Sequence, residues 1–286
     1  MKASLEWLAA SNAVFSAGNG RPGCAQLKYY TVDYCEWGEG PAIVLVPGLA
    51  GGFRLLGPLA RILARRFRVI SYQLRGEDDC FALRRQFGLA DLVEDLVEFM
   101  DWHCLESPAV LGVSFGGVVA LEFASRCPHR LSQLIIQGAG ARFERSWLQQ
   151  VASIVLSRYP LPTDSPFVNQ FFNLLFGSRQ KPGPLFQFVT QQCWQTDQGI
   201  MAHRFHLAEQ YNVSRQLRSI QVPTLILAGD RDLLVSKRSL QELCEGIAHC
   251  KLVCLNGSGH LAFVTQRQRV ADEINDFLED ELALQR

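Results

Sequence analysis

Two kinds of hydrophobic pattern alternate along this chain. Short, almost continuous apolar runs such as residues 42–46 and 224–228 are typical of buried strands. Between them, longer stretches place apolar residues three and four positions apart. In residues 88–103 these apolar positions lie opposite a face of Asp and Glu residues. Strands that alternate with helices in this way predict an α/β fold, with a mostly parallel sheet flanked by helices on both faces.

The same patterns place the individual elements. We predict strands at 29–36, 42–46, 68–72, 109–112, 131–137, 224–228 and 250–255, and helices at 53–65, 88–103, 115–127, 236–247 and 262–279. The first one or two strands are expected to be antiparallel. At the N-terminus an amphipathic stretch predicts a short leading helix. We do not expect a signal peptide there, because Glu6 interrupts the apolar core that a signal peptide needs. Residues 16–26 predict a Gly-rich link.

The alternation stops after the predicted strand at 131–137. Residues 138–223, a stretch of 86 residues, then pass before the next core strand at 224, which is too long for a loop in a compact domain. This stretch is helical and aromatic, and it predicts an insertion in the α/β core. It holds twelve of the chain's 29 aromatic residues: Phe143, Trp147, Tyr159, Phe167, Phe171, Phe172, Phe176, Phe186, Phe188, Trp194, Phe205 and Tyr211.

Composition excludes several classes of partner. Lys plus Arg and Asp plus Glu both total 28, so nothing favours nucleic acid or an anionic membrane surface as a partner. No run approaches the roughly 18 apolar residues that a membrane span requires. The nine cysteines show no zinc-like Cys-x-x-Cys spacing, and several lie in apolar runs. We therefore expect no metal site, free thiols and a cytoplasmic location.

One short motif points to chemistry. Gly112-Val113-Ser114-Phe115-Gly116 lies between a predicted strand and a predicted helix. Strand, Gly-x-Ser-x-Gly and helix together form a nucleophile elbow, a tight turn that exposes the serine oxygen. Glycines two residues to either side let neighbouring backbone approach, and the helix N-terminus offers unpaired N–H groups to a developing oxyanion. The bare pattern is common by chance, so the argument depends on finding a base and an acid as well.

Candidates for both follow later strands. Asp230 and Asp232 lie just past the strand at 224–228, where ligand-facing residues collect in an open parallel sheet. We favour Asp232 as the acid and assign Asp230 to turn chemistry. Most lone histidines are solvated surface residues, but His260 lies in a Gly-rich loop between the last strand and the last helix. Ser114, Asp232 and His260 therefore form a candidate catalytic set.

The motifs together resemble the α/β-hydrolase superfamily over residues 27–286. The segments that carry this resemblance are Val46-Pro47-Gly48-Leu49, Leu74-Arg75-Gly76, Gly112 to Gly117, Gly229-Asp230-Arg231-Asp232 and Gly257-Ser258-Gly259-His260. The resemblance implies the α/β-hydrolase fold, with Ser114 as nucleophile, His260 as base and Asp232 as acid. It also implies an oxyanion hole made by the backbone N–H groups of Leu49 and Phe115. Substrate would lie against Gly48, Leu49 and Phe115.

The resemblance also assigns the insertion. It implies a hydrolase core formed by residues 1–140 and 216–286, and a helical cap formed by residues 141–215 that covers the active site. Most of the cap aromatics are expected to form its own small core, whereas three or four line an apolar pocket. No metal or organic cofactor is needed, and the expected partner is a small-molecule substrate.

Two positions depart from the family pattern. Pro47 replaces the histidine that more often precedes the oxyanion glycine, so its hydrogen bonds are missing. Glu77, Asp78 and Asp79 replace a small, neutral loop. This acidic triplet is interpreted either as a solvated charge run or as a pocket rim that repels anionic substrates.

The leading function is hydrolysis of a small, largely apolar ester through an acyl-enzyme. C–C bond hydrolysis of a diketone-type substrate, thioester or amide hydrolysis and cofactor-free haloperoxidation would use the same three residues. Dehalogenase and epoxide-hydrolase chemistry is disfavoured, because those relatives have aspartate where this chain has Ser114. A hypothesis of another class is a small-molecule receptor built on the hydrolase scaffold.

Overall fold

A computed structural model describes residues 20–77, 87–143, 150, 154–155, 166–177 and 183–284. Its strands are β1 (Arg21–Gln26), β2 (Thr31–Trp37), β3 (Ala42–Val46), β4 (Arg68–Tyr72), β5 (Ala109–Val113), β6 (Leu134–Gln137), β7 (Thr224–Gly229) and β8 (Cys250–Leu255). The predicted leading helix at the N-terminus lies outside the described residues, as do Asp78 and Asp79 of the acidic triplet.

Nine helices are described in the same ranges. They are α1 (Gly52–Leu63), α2 (Leu89–Trp102), α3 (Phe115–Arg126), α4 (Pro166–Phe176), α5 (Pro184–Cys193), α6 (Gln198–Gln210), α7 (Lys237–Gly246), α8 (Ala262–Thr265) and α9 (Arg267–Leu284). Helices α4, α5 and α6 lie between β6 and β7, in the predicted insertion. The division of the chain into core and cap stays a prediction.

The eight strands form one sheet in the order β1-β2-β4-β3-β5-β6-β7-β8. From β4 to β8 all neighbours are parallel, and only the β1–β2 and β2–β4 pairs are antiparallel. The prediction of a mostly parallel sheet with antiparallel first strands is confirmed. Because the carboxyl ends of β3, β5, β6, β7 and β8 meet at one edge, the loops that follow them can meet there too.

The central strands are apolar throughout because both faces of the sheet are covered. Ile43 and Leu45 of β3 pack into one core with α1 and α9, whereas Val44 packs into the opposite core with α2 and α3. The inserted helices join both cores. Phe172 of α4 belongs to the first core and Ile200 of α6 to the second.

Two element predictions are wrong. Residues 21–26 are not a link but the edge strand β1, which pairs with β2 along its whole length. At Gly23 the Tyr34 ring of the neighbouring strand passes so close that a Cβ would lie 2.5 Å from it. The last helix is divided, since Gln266 (φ −122°, ψ 36°) leaves the helical conformation between α8 and α9 and its Nε2 donates to Asn256 O at 3.1 Å.

Within these described ranges, no helix combines the length and the apolar character that crossing a bilayer demands. The same part of the chain contains no cluster of three or more His, Cys, Asp or Glu side chains arranged to hold a metal ion.

Candidate active site

Ser114 lies at the sharp turn between β5 and α3. Its φ of 53° and ψ of −116° are costly for a residue that carries a Cβ. The turn requires the two flanking glycines. A Cβ on Gly116 would lie 2.1 Å from Val46 O, and one on Gly112 would lie 2.4 Å from Gly116 O. The sequence motif therefore holds the serine in a strained conformation at the carboxyl edge of the sheet.

His260 approaches this serine from the loop after β8. Its Nε2 lies 2.7 Å from Ser114 Oγ, and its side chain is almost completely buried. The loop is tied to the centre of the sheet, because Gln137 Nε2 donates to His260 O at 3.1 Å. Gly138 leaves room for the ring, since a Cβ there would lie 3.2 Å from His260 Cε1.

Asp232 completes a chain of three hydrogen-bonded side chains. Its Oδ2 lies 2.9 Å from His260 Nδ1, and its Oδ1 accepts from the N–H groups of Leu234 at 2.8 Å and Val235 at 3.3 Å. Because an ionised carboxylate can only accept, Nδ1 donates to Asp232 and the neutral ring offers Nε2 as the acceptor of the Ser114 hydroxyl proton.

Electrostatics keep Asp232 ionised. Burial alone would raise the pKa of this carboxyl, but the imidazole of His260 and the N–H groups of Leu234 and Val235 outweigh it, so that the pKa lies below the usual 3.8. A carboxyl whose pKa is lowered by folding stabilises the native state above its unfolded pKa. This contribution is lost as the pH falls through the folded pKa. At neutral pH the carboxylate is therefore available to orient the imidazole.

The neighbouring Asp230 makes different contacts. Its Oδ1 accepts from Ser258 N at 3.1 Å, and its own N–H donates to Leu255 O at 3.3 Å. It connects the end of β7 with the loop that carries His260, which is turn chemistry.

The loop after β3 lies beside Ser114. A Cβ on Gly48 would lie 3.6 Å from the Ser114 Cβ, which is an ordinary van der Waals distance, so this loop packs directly against the serine. In the described part of the chain the N–H groups of Leu49 and Phe115 have no hydrogen-bond acceptor. Phe115 is the first residue of α3, and the first N–H groups of a helix have no acceptor within the helix. Both predicted oxyanion donors are therefore open to an external acceptor.

Ser114 and His260 face a cavity of about 230 Å³. Aromatic and aliphatic side chains make up most of its wall, and among the described residues Arg142 is the one lysine, arginine, aspartate or glutamate in it. Five aromatics from the described part of the insertion line the cavity: Phe143, Phe172, Trp194, Phe205 and Tyr211. Burial raises the pKa of the Cys193 thiol in the same wall to about 12, which keeps it neutral.

Arg142 does not introduce an isolated charge into this cavity. Its Nε lies 3.2 Å from Glu242 Oε2, and its backbone is tied to Ser239 Oγ. Among the described residues, the cavity wall is thus largely apolar. Its polar groups are the serine, the histidine, this paired arginine, the Cys193 thiol, the Tyr211 hydroxyl and the Trp194 indole N–H.

Both interpretations of the acidic triplet are wrong for Glu77. Its side chain is neither solvated nor a charged pocket rim, because it is buried in an ion pair with Arg204 of α6. The pair neutralises the charge that was expected to repel anions.

Sequence reasoning missed the contacts that the insertion makes with the catalytic loops. Arg204 Nη1 donates to Leu49 O at 2.9 Å, and Thr196 Oγ1 accepts from Gly51 N at 3.0 Å. Leu261 N, next to His260, donates to Leu175 O at the end of α4, at 3.2 Å. No local pattern could reveal these contacts, because 86 residues or more separate the partners.

Comparisons with known proteins agree with this architecture. A family profile that describes the alpha/beta hydrolase fold matches residues 41–266. The pimeloyl-[acyl-carrier protein] methyl ester esterase of Aliivibrio salmonicida is 25% identical over 252 residues, which cover 85% of this chain and 94% of the esterase. Polyketide synthase ThaQ of Burkholderia thailandensis is also 25% identical over 257 residues. That match covers 86% of this chain but only 12% of the synthase.

Solved structures show the same fold. A crystal structure of a membrane phospholipase A, a bacterial virulence factor, superimposes with a TM-score of 0.81 at 22% identity. The match covers 97% of this chain and 92% of the phospholipase chain.

Proposed function

The chain belongs to the α/β-hydrolase fold family, and from this premise we propose that it is a serine hydrolase that cleaves an ester of a small, largely apolar carboxylic acid. One observation carries the proposal. Ser114 Oγ, His260 and Asp232 are linked by hydrogen bonds of 2.7 and 2.9 Å at the wall of an apolar cavity.

The first half-reaction acylates the enzyme. Ser114 Oγ attacks the ester carbonyl carbon while His260 Nε2 takes the hydroxyl proton. The carbonyl oxygen becomes an oxyanion, and the N–H groups of Leu49 and Phe115 donate to it. Each such donor is worth about 3–4 kcal/mol in the transition state. The tetrahedral intermediate then collapses, the bond to the alkoxy oxygen breaks, and His260 returns the proton to the leaving alcohol.

The second half-reaction releases the acid. His260 removes a proton from water, which attacks the acyl carbon, and the proton returns to Ser114 Oγ as the acyl bond breaks. Asp232 holds the imidazole in the tautomer that presents Nε2 to the serine and stabilises the imidazolium in both steps. Its lowered pKa supports this role, because the carboxylate stays ionised throughout the neutral range.

The cavity favours an ester with an apolar acyl group. The cavity of about 230 Å³ has room for several water-sized groups, so it accepts a small acyl chain. The described part of the wall offers apolar contact and no unpaired charge of an Asp, Glu, Lys or Arg side chain. Such a wall binds an uncharged acyl chain better than a charged acyl group. The relative from Aliivibrio salmonicida is by name a methyl ester esterase, which supports the choice of ester over other acyl bonds.

The test combines covalent labelling with a substrate series. A fluorophosphonate should label the wild type and not Ser114→Ala. p-Nitrophenyl esters from acetate to decanoate should show a Ser114-dependent optimum of acyl chain length. Equal labelling of Ser114→Ala would show that the nucleophile is wrongly assigned.

The same experiment separates the competing functions. Serine-dependent labelling without turnover of any ester would contradict the esterase proposal and favour a C–C bond hydrolase, a thioesterase or a receptor. A panel of diketone and acyl thioester substrates, followed by equilibrium binding of the same compounds, would then distinguish these three. A receptor would bind tightly and release product at most once.

A further inference from the structure

We infer that the insertion positions the oxyanion hole: Arg204 and Thr196 hold the loop formed by residues 47–52, the oxyanion loop, in the geometry that aims the Leu49 N–H at the reacting carbonyl. This inference rests on the proposed function, because it concerns the same site. It makes Arg204 and Thr196 positioning residues. Neither side chain lines the cavity, so neither contacts the substrate.

Arg204 joins three parts of the chain. Its side chain is fully buried in α6, and Nη1 donates to Leu49 O at 2.9 Å while also pairing with Glu77. Nη2 donates to Leu74 O and Arg75 O, both at 3.0 Å. The oxyanion loop is thus anchored to the loop after β4 through one guanidinium group, whose planar fork can serve several acceptors at once.

Thr196 holds the other side of the same loop. Its buried Oγ1 accepts from Gly51 N at 3.0 Å, just before α6 begins. Gly51 has a φ of 83°, which glycine adopts without strain. Leu49 O and Gly51 N flank Ala50, so the two contacts fix the peptide groups directly after the proposed oxyanion donor.

Backbone and packing contacts also hold the loop, since Leu55 N donates to Gly51 O at 3.1 Å and Leu49 and Ala50 pack against the hydrophobic cores. The sequence of the loop, Pro-Gly-Leu-Ala-Gly-Gly, supplies no side-chain hydrogen-bonding group. Among the described residues, side-chain hydrogen bonds to it come from Arg204 and Thr196 alone. An oxyanion donor must lie about 2.7–3.1 Å from the oxyanion, and a misplacement of about 1 Å can cost a hundredfold in rate. Loss of either contact should therefore reduce transition-state stabilisation while ground-state binding in the apolar cavity persists.

The experiment uses variants of the full chain. Thr196→Val keeps the shape of the side chain but removes the acceptor, whereas Thr196→Ser keeps the acceptor. Arg204→Lys keeps the charge opposite Glu77 but loses the fork. Thr190→Val is the matched control, because among the described residues the Thr190 hydroxyl in α5 donates only to the carbonyls of Phe186 and Gln187 in its own helix.

Three quantities are measured for each variant on the best ester. They are kcat and KM, the affinity for a boronic acid that forms a tetrahedral anion on Ser114, and the affinity for a neutral amide of the same acid. We expect Thr196→Val and Arg204→Lys to lower kcat and boronate affinity about tenfold to a hundredfold. KM and amide affinity should change less than about twofold. Thr196→Ser and Thr190→Val should behave like the wild type.

Two results would overturn the inference. One is an unchanged kcat in both Thr196→Val and Arg204→Lys. The other is a loss of kcat with unchanged boronate affinity, which would indicate a merely structural role. Failure of the proposed function is distinguishable, because the rate of fluorophosphonate attack on Ser114 needs the same donors but no ester turnover. If the wild type turns over no ester, slower fluorophosphonate attack on Ser114 in Thr196→Val and Arg204→Lys still supports the inference, and an unchanged rate of attack overturns it. Absence of labelling in the wild type overturns both the inference and the proposed function.

Discussion

At the residue scale, the strain and the hydrogen bonds of the site come from residues that the sequence motifs identify. Ser114 has a positive φ because glycines at positions 112 and 116 allow backbone to approach within distances that a Cβ would forbid. The order Ser114, Asp232, His260 was readable, and the structure brings the three side chains together. The choice between Asp230 and Asp232 depends on the tertiary structure, because two aspartates of one turn differ only in where the fold directs them.

Replacing each aspartate with asparagine tests that choice. Asp232→Asn should lower kcat about a thousandfold to ten-thousandfold, because an amide can present its NH₂ to Nδ1 and favour the wrong imidazole tautomer. Asp230→Asn should cost less than about tenfold, since an amide oxygen can still accept from Ser258 N. Steady-state kinetics with the best ester would measure both. A larger loss in Asp230→Asn would mean that Asp230 is the catalytic acid.

At the element scale, the sequence predicts most of the strands of the sheet and the helices that flank it. It does not predict how the inserted helices contact the catalytic loops. Strand β1 was missed because an edge strand with Pro22 and Gly23 lacks the apolar run of a central strand. Helix α4 ends at the loop that carries His260. Gly177, with a φ of 71°, lies so close to Gly259 that a Cβ on it would come 2.7 Å from the Gly259 Cα. This contact joins the insertion to the histidine loop.

A pair of glycine substitutions measures that contact. Gly177 and Gly257 both have positive φ, but a Cβ on Gly257 would meet nothing within 4 Å. Alanine at either position carries a backbone cost of about 1–2 kcal/mol. Only Gly177→Ala also pushes on the histidine loop, so we expect it to lower kcat about tenfold, with Gly257→Ala close to the wild type. Steady-state kinetics and thermal melts of both would decide, and equal kcat values would show that α4 does not position His260.

At the scale of the whole molecule, a buried polar network joins segments that are far apart in the chain. Arg75, after β4, makes two hydrogen bonds to Asp95 of α2, at 2.8 and 2.6 Å. Tyr30, between β1 and β2, donates to the same carboxylate at 3.0 Å. Burial raises the pKa of Asp95 even though Arg75 and Tyr30 oppose it, so the network is strongly desolvated. It connects the antiparallel edge of the sheet with the helix layer.

Asp95→Asn should therefore destabilise the fold. Breaking a buried ion pair costs about 3–5 kcal/mol in the free energy of unfolding. We expect the lower end of this range, because Asp91 Oδ1 still lies 3.6 Å from Arg75 Nη1. The matched control is Asp101→Asn on the same helix, because Asp101 pairs with Arg130 at the surface and such pairs contribute about 1 kcal/mol or less. Urea denaturation followed by circular dichroism would measure both. Equal stability of the two variants would contradict a stabilising role of the network.

The sequence by itself determined the α/β fold, the nearly complete set of strands and, for the candidate catalytic set, Ser114, His260 and the turn that holds Asp230 and Asp232. It could do so because strand and helix periodicity and the Gly-x-Ser-x-Gly turn are local, and because parallel strands bring their carboxyl ends to one edge. Only the tertiary structure decided that Glu77 is neutralised by Arg204, that Asp232 rather than Asp230 faces His260, and that α4 and α6 touch the catalytic loops. Those facts depend on contacts between residues that neighbour each other only after folding, and burial then determines which charges and hydrogen bonds matter.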